Sequence, residues 1–90
     1  MGQSIVPLWA YIAATALAAL WFLRVRDAAD DPDLFFSRSR IGSLLHGAVW
    51  MAVLLDGGLA KSDTLLAVFA INMFGTLFYA MCMRRADAPE

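Results

Sequence analysis

Three long uncharged stretches divide this sequence, and they constrain its fold more than any other feature. No charged residue occurs in residues 1–23, 41–55 or 64–83. About 20 helical residues are needed to cross a bilayer core of about 30 Å, since an α-helix rises about 1.5 Å per residue. The first and third stretches have this length, and the second reaches it if its helix continues past Asp56 to Ala60. The pattern predicts an all-α fold with three transmembrane helices over residues 5–23, 41–60 and 64–83.

The overall composition also favours a membrane protein. Of the 90 residues, 61% are hydrophobic and 17% are charged, whereas soluble domains have about 45–50% and about 25%. A soluble domain of this size could not bury so much apolar surface. We therefore interpret residues 1–90 as a single membrane domain. The first apolar stretch follows no basic segment and precedes no clear cleavage site, so we expect it to stay in the mature protein.

Residues 24–40, between the first two predicted helices, form the only sizeable charged segment. Asp31 followed by Pro32 favours the start of a short helix or turn. The aromatic and basic residues that follow are typical of an interfacial elbow, with rings in the headgroup layer and guanidinium groups on the phosphates. Across the chain, the residues expected to anchor the protein at the lipid interface are Trp9, Trp21, Phe35, Phe36, Arg38, Arg40, Arg84 and Arg85.

Four aspartates in the same segment allow an alternative interpretation as a calcium or magnesium site, because these cations prefer carboxylate oxygens. Their spacing matches no known loop pattern, and neighbouring arginines already supply counter-charges. A solvated acidic loop without a metal is therefore the preferred interpretation of Asp27, Asp30, Asp31 and Asp33.

Lysine and arginine predict the orientation of the helices, because loops rich in these residues stay on the cytoplasmic side. The first loop and the C-terminal tail contain six arginines, whereas the N-terminal segment and the second loop contain only Lys61. We therefore expect the N-terminus outside and the C-terminus on the cytoplasmic or matrix side of a bacterial or organellar inner membrane. The six arginines are Arg24, Arg26, Arg38, Arg40, Arg84 and Arg85.

Small and polar side chains recur at steps of four residues in the first and third predicted helices. The first helix has an alanine stripe, and the third has Thr64, Val68, Asn72, Thr76 and Ala80, with Gly75 and Tyr79 alongside. Small residues let helices approach closely in lipid, so these faces predict packing of the first helix on the third. A substrate path along Asn72 is the alternative. The residues expected in helix packing or a partner interface are Ala10, Ala14, Ala18, Gly47, Asn72, Gly75 and Thr76.

His46 is the only histidine, and it shares a stripe of the second predicted helix with Gly42 and Trp50. One interpretation is that its imidazole ligates the metal of a haem or chlorophyll-type pigment while the other ring nitrogen is held by a hydrogen bond. A second axial ligand would then have to come from another chain. The other interpretation, which we expect, is a neutral histidine that donates a hydrogen bond to a neighbouring helix, with the Trp50 N–H also seeking a partner.

Two further residues receive structural interpretations. Asp56 precedes Gly57 and Gly58, a natural helix exit, so its carboxylate is expected to be solvated. Cys82 is the only cysteine, and its place near the end of an apolar stretch favours a buried structural thiol.

Two short likenesses to known families accompany these residues. Leu45-His46-Gly47, with Asp56 ten residues after His46, is similar to the haem-bearing second helix of succinate dehydrogenase membrane anchors, which also have three spans. Gly57 stands where that family has a tyrosine, and the expected orientation places Asp56 on the opposite side. The charged first loop and Gly75-Thr76 are similar to the small F subunit of multisubunit cation/proton antiporters, although its Gly-Pro turn is missing. Neither likeness assigns the chain to a family.

The sequence contains no motif of a self-contained enzyme: no Walker loop, no nucleophile with a base, and no paired buried carboxylates. A net charge of -1 gives no basic field for nucleic acid. We interpret the protein as an accessory subunit of a larger energy-transducing membrane complex of the electron-transport type, with other membrane subunits, the bilayer and bound lipid as partners. The alternatives are a homo-oligomeric channel, holin or small transporter, and a haem- or chlorophyll-binding anchor that uses His46.

The distribution of arginines predicts the side on which the tail lies. A reporter that is active only outside the membrane, fused after Glu90, should stay inactive, and a reporter that requires the cytoplasm should be active at the same position. Activity of the external reporter would contradict the orientation derived from the six arginines.

Overall fold

The computed structural model describes residues 7–56 and 63–87, and the regular structure within these ranges is entirely helical. Helix α1 covers Leu8–Asp27, α2 covers Pro32–Leu55 and α3 covers Asp63–Asp87. Helix α3 packs mainly on α2, and α1 contacts both. The prediction of an all-α fold with three helices is confirmed. By length and apolar composition, α1 and α3 could each cross a membrane.

Helix α1 begins directly after Pro7, whose carbonyl oxygen accepts hydrogen bonds from the backbone N–H groups of Ala10 and Tyr11. Pro7 itself is extended, with φ -63° and ψ 148°. Proline is tolerated at this position, directly before the first turn, because its missing N–H is not needed there. The predicted start of this helix, residues 5 and 6, lies outside the described residues. The helix continues to Asp27, four residues beyond the predicted end at residue 23.

The connection between α1 and α2 is much shorter than the predicted elbow, because only residues 28–31 are non-helical. The Asp31 side chain accepts a hydrogen bond from the Leu34 backbone N–H at 3.2 Å, and Pro32 occupies the first turn. This N-cap and proline pair starts a helix of 24 residues. The predicted helix start at Asp31 and Pro32 is confirmed, but the loop predicted for residues 24–40 is wrong in its length, since residues 24–27 end α1 and residues 32–40 form the first turns of α2.

Three of the four aspartates of this region lie at helix ends, and Asp30 lies in the connection between α1 and α2. Asp27 ends α1, Asp31 caps α2, and Asp33 lies in the first turn of α2, where the helix dipole favours negative charge. All four, including Asp30, are exposed. Among residues 7–56 and 63–87, no three or more His, Cys, Asp or Glu side chains are grouped so that they could hold a metal ion.

The six arginines lie at one end of the bundle, which we call the arginine end: Arg24, Arg26, Arg38, Arg40, Arg84 and Arg85. The tight turn joins the end of α1 to the start of α2, and the end of α3 lies beside them, where Ala86 faces Pro32 and Phe36 across a shallow depression. The Phe22 and Phe78 rings are 5.5 Å apart between α1 and α3. Antiparallel packing of the successive helices therefore gathers these charges.

The predicted interfacial anchors lie near helix ends, and two of them also connect helices. Trp9 in the first turn of α1 is 72% exposed. The Trp21 indole N–H donates to the Arg38 carbonyl at 2.7 Å, and the Arg38 guanidinium donates to the Arg24 carbonyl at 2.7 Å. This second bond joins α2 to the last turn of α1, where carbonyl groups generally lack helical partners.

The described bundle buries four polar side chains together with nine hydrophobic residues, and many large apolar side chains are exposed. Ser39, His46, Asp56 and Asn72 are buried, whereas Leu55 and Phe74 are 81% and 72% exposed. The exposed apolar side chains are distributed over all three helices. Buried polar groups are costly unless they are hydrogen-bonded.

Two glycines allow α2 and α3 to approach each other closely. A Cβ atom added at Gly42 would lie 2.7 Å from the ring of Tyr79, and one added at Gly75 would lie 2.5 Å from the ring of His46. Each helix therefore contributes a glycine that receives an aromatic ring of the other. Gly47 differs, because an added Cβ would meet nothing closer than the Trp50 indole nitrogen at 3.9 Å.

These contacts predict opposite outcomes for two glycine substitutions. Gly75→Ala should lower the free energy of unfolding by about 1–3 kcal/mol, because the new methyl group displaces the His46 ring. Gly47→Ala should be neutral or raise it by up to about 1 kcal/mol, as alanine favours the helix and has space. Detergent-solubilised protein titrated with dodecyl sulfate and followed by circular dichroism measures both. Equal stability of the two variants would contradict the close approach at Gly75.

Candidate functional site

A cluster of polar side chains joins all three helices inside the bundle. His46 of α2 lies with its Nδ1 atom 2.8 Å from Oδ1 of Asn72 on α3. The Nδ2 amide of Asn72 donates to Oγ1 of Thr15 on α1 at 2.8 Å, and also to the Val68 carbonyl at 2.7 Å. Thr15 in turn donates to the Tyr11 carbonyl at 2.7 Å. We call Thr15, His46 and Asn72 the polar cluster.

The hydrogen bonds around Asn72 determine the tautomer of His46. A flipped Asn72 amide would direct its oxygen at the Val68 carbonyl, and two acceptors repel each other, so Oδ1 must face the imidazole. Nδ1 of His46 is therefore the N–H donor. In the neutral imidazole the lone pair is then on Nε2. Nε2 makes no hydrogen bond to any residue of 7–56 or 63–87.

The sequence prediction for His46 and Trp50 agrees with these contacts. His46 donates to an amide oxygen on a neighbouring helix, and the Trp50 indole N–H donates to the Thr76 hydroxyl at 3.1 Å. Thr76 itself donates to the Asn72 carbonyl at 3.0 Å. The indole also packs edge-on against Phe69, at a centroid distance of 5.9 Å. Helices α2 and α3 are thus joined by polar bonds on either side of Asn72.

Tyr79 extends the cluster towards the arginine end. Its ring fills the space over Gly42 and lies 5.7 Å from the His46 ring at an interplanar angle of 32°. Its hydroxyl donates to the Ala18 carbonyl of α1 at 3.4 Å. This one residue of α3 therefore contacts both other helices.

Asp56 is buried, and the prediction that it is a solvated carboxylate is wrong. It is 8% exposed, and its Oδ2 atom accepts a hydrogen bond from the Tyr11 hydroxyl at 3.0 Å. The same hydroxyl lies 3.2 Å from the Ala52 carbonyl. The role of Tyr11 was not predicted from the sequence, although the chain has only two tyrosines, Tyr11 and Tyr79, and each stands within an apolar stretch where its hydroxyl needs a partner.

The predicted alanine stripe of α1 is divided between two neighbours. Ala18 is buried and its carbonyl accepts from Tyr79 of α3, in agreement with the predicted packing of α1 on α3. Ala10 and Ala14 instead line an open groove of about 300 Å³ between α1 and α2. The other side chains of this groove, which we call the alanine groove, are Tyr11, Ala48, Val49 and Ala52.

The predicted stripe of α3 is buried only in its middle. Val68 and Asn72 are buried, Thr76 is half-buried, and Thr64 and Ala80 at the two ends are exposed. Gly75 contacts His46 of the same chain, so its role lies within the bundle. Cys82 is a free thiol and is half-buried, which is less than the full burial expected for it.

An open apolar cleft of about 430 Å³ lies between α1 and α3, with His46 of α2 in its lining. We call it the phenylalanine cleft. Its lining is almost wholly apolar and includes three aromatic rings that are partly exposed. The side chains around His46 are Ala19, Phe22, Ile71, Phe74, Gly75, Phe78 and Tyr79.

Comparison with known proteins does not change this picture. No family model matches the sequence, and no curated protein or solved structure matches it. The site is therefore interpreted from its own geometry. Its distinctive group is an imidazole with a defined tautomer beside an apolar cleft.

The polar cluster predicts strong coupling between two positions on different helices. Asn72→Leu should destabilise the bundle by about 2–4 kcal/mol, because it removes partners of both His46 and Thr15 and leaves them buried. Thr15→Val should cost only about 1 kcal/mol, a typical value for one such bond in lipid. A double-mutant cycle in dodecyl sulfate titrations measures the coupling, expected to be about 1 kcal/mol. Additive effects of the two substitutions would contradict a direct bond between Asn72 and Thr15.

Proposed function

We propose that the protein is an integral membrane protein with three transmembrane helices that works as an accessory subunit of a larger membrane complex, of the energy-transducing type. The first support is the exposure of the apolar helices. Only 17% of the most apolar stretch of α1 and 22% of that of α3 is buried inside the protein. A core helix of a soluble protein would be mostly buried, so these surfaces favour contact with lipid or with another membrane protein.

The position of α2 favours a third span. Between Gly42 and Trp50 it follows α3 closely, with contacts to Tyr79, Asn72 and Thr76. If α3 crosses the bilayer, the uncharged residues 41–55 of α2 lie at the same depth. The charged residues of α2 fall in its first turns at the arginine end, where they would meet headgroups.

The same end supports the proposed orientation. All six arginines lie there, so the positive-inside rule applies to one end of the bundle as a whole. We therefore propose that the arginine end faces the cytoplasm or the matrix and that the N-terminus lies outside.

The observation that supports an accessory role is the alanine groove. Helices associate in lipid through small residues that permit close backbone approach and through a few polar contacts. Ala10, Ala14, Ala48 and Ala52 provide such a surface, and the helices of this chain leave it open. The amide of Asn72, Nδ1 of His46 and the indole N–H of Trp50 are meanwhile bonded within the bundle. A transmembrane helix of a partner subunit therefore fits this groove by shape, without needing to form polar bonds.

This proposal predicts that filling the groove releases the partner. Ala48→Leu should lower the recovery of partner subunits in mild-detergent purification by about tenfold, the effect of about 1.4 kcal/mol. Ala67→Leu is the matched control, because Ala67 is equally an exposed alanine but lies on α3. Both variants should insert normally, since insertion depends on hydrophobicity. Gly75→Leu is unsuitable here, as Gly75 contacts His46 of the same chain.

Two outcomes would contradict the accessory role. Equal partner recovery for Ala48→Leu and Ala67→Leu would exclude the alanine groove as the docking surface. Wild-type protein that purifies alone as a stable oligomer and makes liposomes leak to ions or small solutes would favour the homo-oligomeric channel or transporter instead.

A further inference from the structure

The hydrogen bond from His46 to Asn72 leaves the imidazole in the form that binds metals. Nδ1 carries the proton and donates to Asn72, so the Nε2 lone pair is available. Metal-ligating histidines are typically held in this way, with the second nitrogen donating to an oxygen that fixes the tautomer and raises the basicity of the ligand. His46 is only 4% exposed, and packing against Gly75 and Tyr79 restrains its ring. We propose that Nε2 of His46 is an axial ligand of a metallotetrapyrrole bound in the phenylalanine cleft.

The cleft fits a tetrapyrrole better than a bare metal ion. A bare transition metal requires three or four protein ligands, and the described residues contain no group of three or more His, Cys, Asp or Glu side chains suited to this. A tetrapyrrole brings its own equatorial nitrogens and requires from the protein an axial ligand and an apolar, preferably aromatic, surface. His46 supplies the first, and Phe22, Phe74 and Phe78 contribute the second.

The size of the cleft and the charges near it agree with this ligand. Its volume of about 430 Å³ lies within the range of sites for small molecules and cofactors. Arg26 follows Phe22 by four residues on α1, and Arg85 follows Phe78 by seven on α3, so both arginines lie towards the arginine end on the helix faces that line the cleft. Carboxylate substituents of a porphyrin that extended to that end would meet these two cations.

The cleft is open on its outer side, so one chain covers only part of a macrocycle. A partner subunit or a second copy would cover the rest and could supply a further axial ligand. The inference deepens the proposed function. It rests on that function only in placing the open side of the cleft against lipid or a membrane partner. Axial ligation by His46 itself requires only this chain.

The decisive variant is His46→Asn. Its amide nitrogen takes the place of Nδ1 and still donates to Asn72, but it offers no equivalent of the Nε2 lone pair. Full-length protein in detergent would be titrated separately with haemin and with a zinc chlorin, and the Soret band followed. Pigment extracted from protein purified out of its native membrane and separated by chromatography would show whether the natural ligand is a haem or a chlorophyll.

We expect wild-type protein to bind one tetrapyrrole per chain with a shifted Soret band, and His46→Asn to bind about 100-fold more weakly. In His46→Gly, added imidazole should restore the shift, which a purely structural role would not predict. Trp50→Phe is the control, since it removes a neighbouring interhelical bond and should leave binding unchanged. Circular dichroism of each variant separates loss of the ligand from loss of the fold.

The inference is overturned if folded wild-type protein binds neither probe, or if His46→Asn binds as tightly as wild type, which would indicate nonspecific partition into apolar surface. These results are distinguishable from failure of the accessory role. His46→Asn should still co-purify with partner subunits, and Ala48→Leu should still show the Soret band, because the alanine groove and the phenylalanine cleft share no residue.

Discussion

The rest of the structure depends on the hydrogen bonds of one buried amide, that of Asn72. A primary amide in apolar surroundings costs several kcal/mol unless its donors and acceptor are bonded. Asn72 is fully buried, and its amide bonds reach His46 on α2, Thr15 on α1 and the Val68 carbonyl on its own helix. If the helices were rearranged so that Asn72 lost its contact with α1 or α2, at least one of these polar groups would be left unsatisfied. The amide therefore selects one register for the three helices.

Shape and hydrogen bonding are coupled at the same residues. The His46 ring can donate to Asn72 only because Gly75, three residues further along α3, leaves room for it. Tyr79 likewise lies over Gly42 while its hydroxyl reaches α1. Close approach and polar bonds therefore act together at these residues. A substitution at either glycine would therefore disturb the hydrogen bonds as well as the packing.

Periodicity and the cost of burying polar groups made part of this structure predictable from the sequence. Uncharged stretches located the helices, and the need for partners correctly predicted interhelical hydrogen bonds of His46 and Trp50. Three features escaped prediction because they depend on tertiary contacts or on a competing local signal. The helix start at Asp31 and Pro32 was predicted, but the charged residues around Arg38 suggested a loop where the helix in fact continues. The buried Asp56 carboxylate accepts a hydrogen bond from Tyr11, 45 residues away, and helical spacing alone does not reveal which neighbour each alanine of α1 faces.

Packing alone does not explain why residue 46 is a histidine. A hydroxyl or amide side chain could also bond to Asn72, and a histidine in this position leaves a second polar atom, Nε2, beside an apolar cleft without a bond to the described residues. Polar groups retained within apolar surroundings commonly belong to functional sites. The other interhelical polar contacts around Asn72 are satisfied within the bundle, so Nε2 of His46, which makes no bond to the described residues, can accept one from outside them.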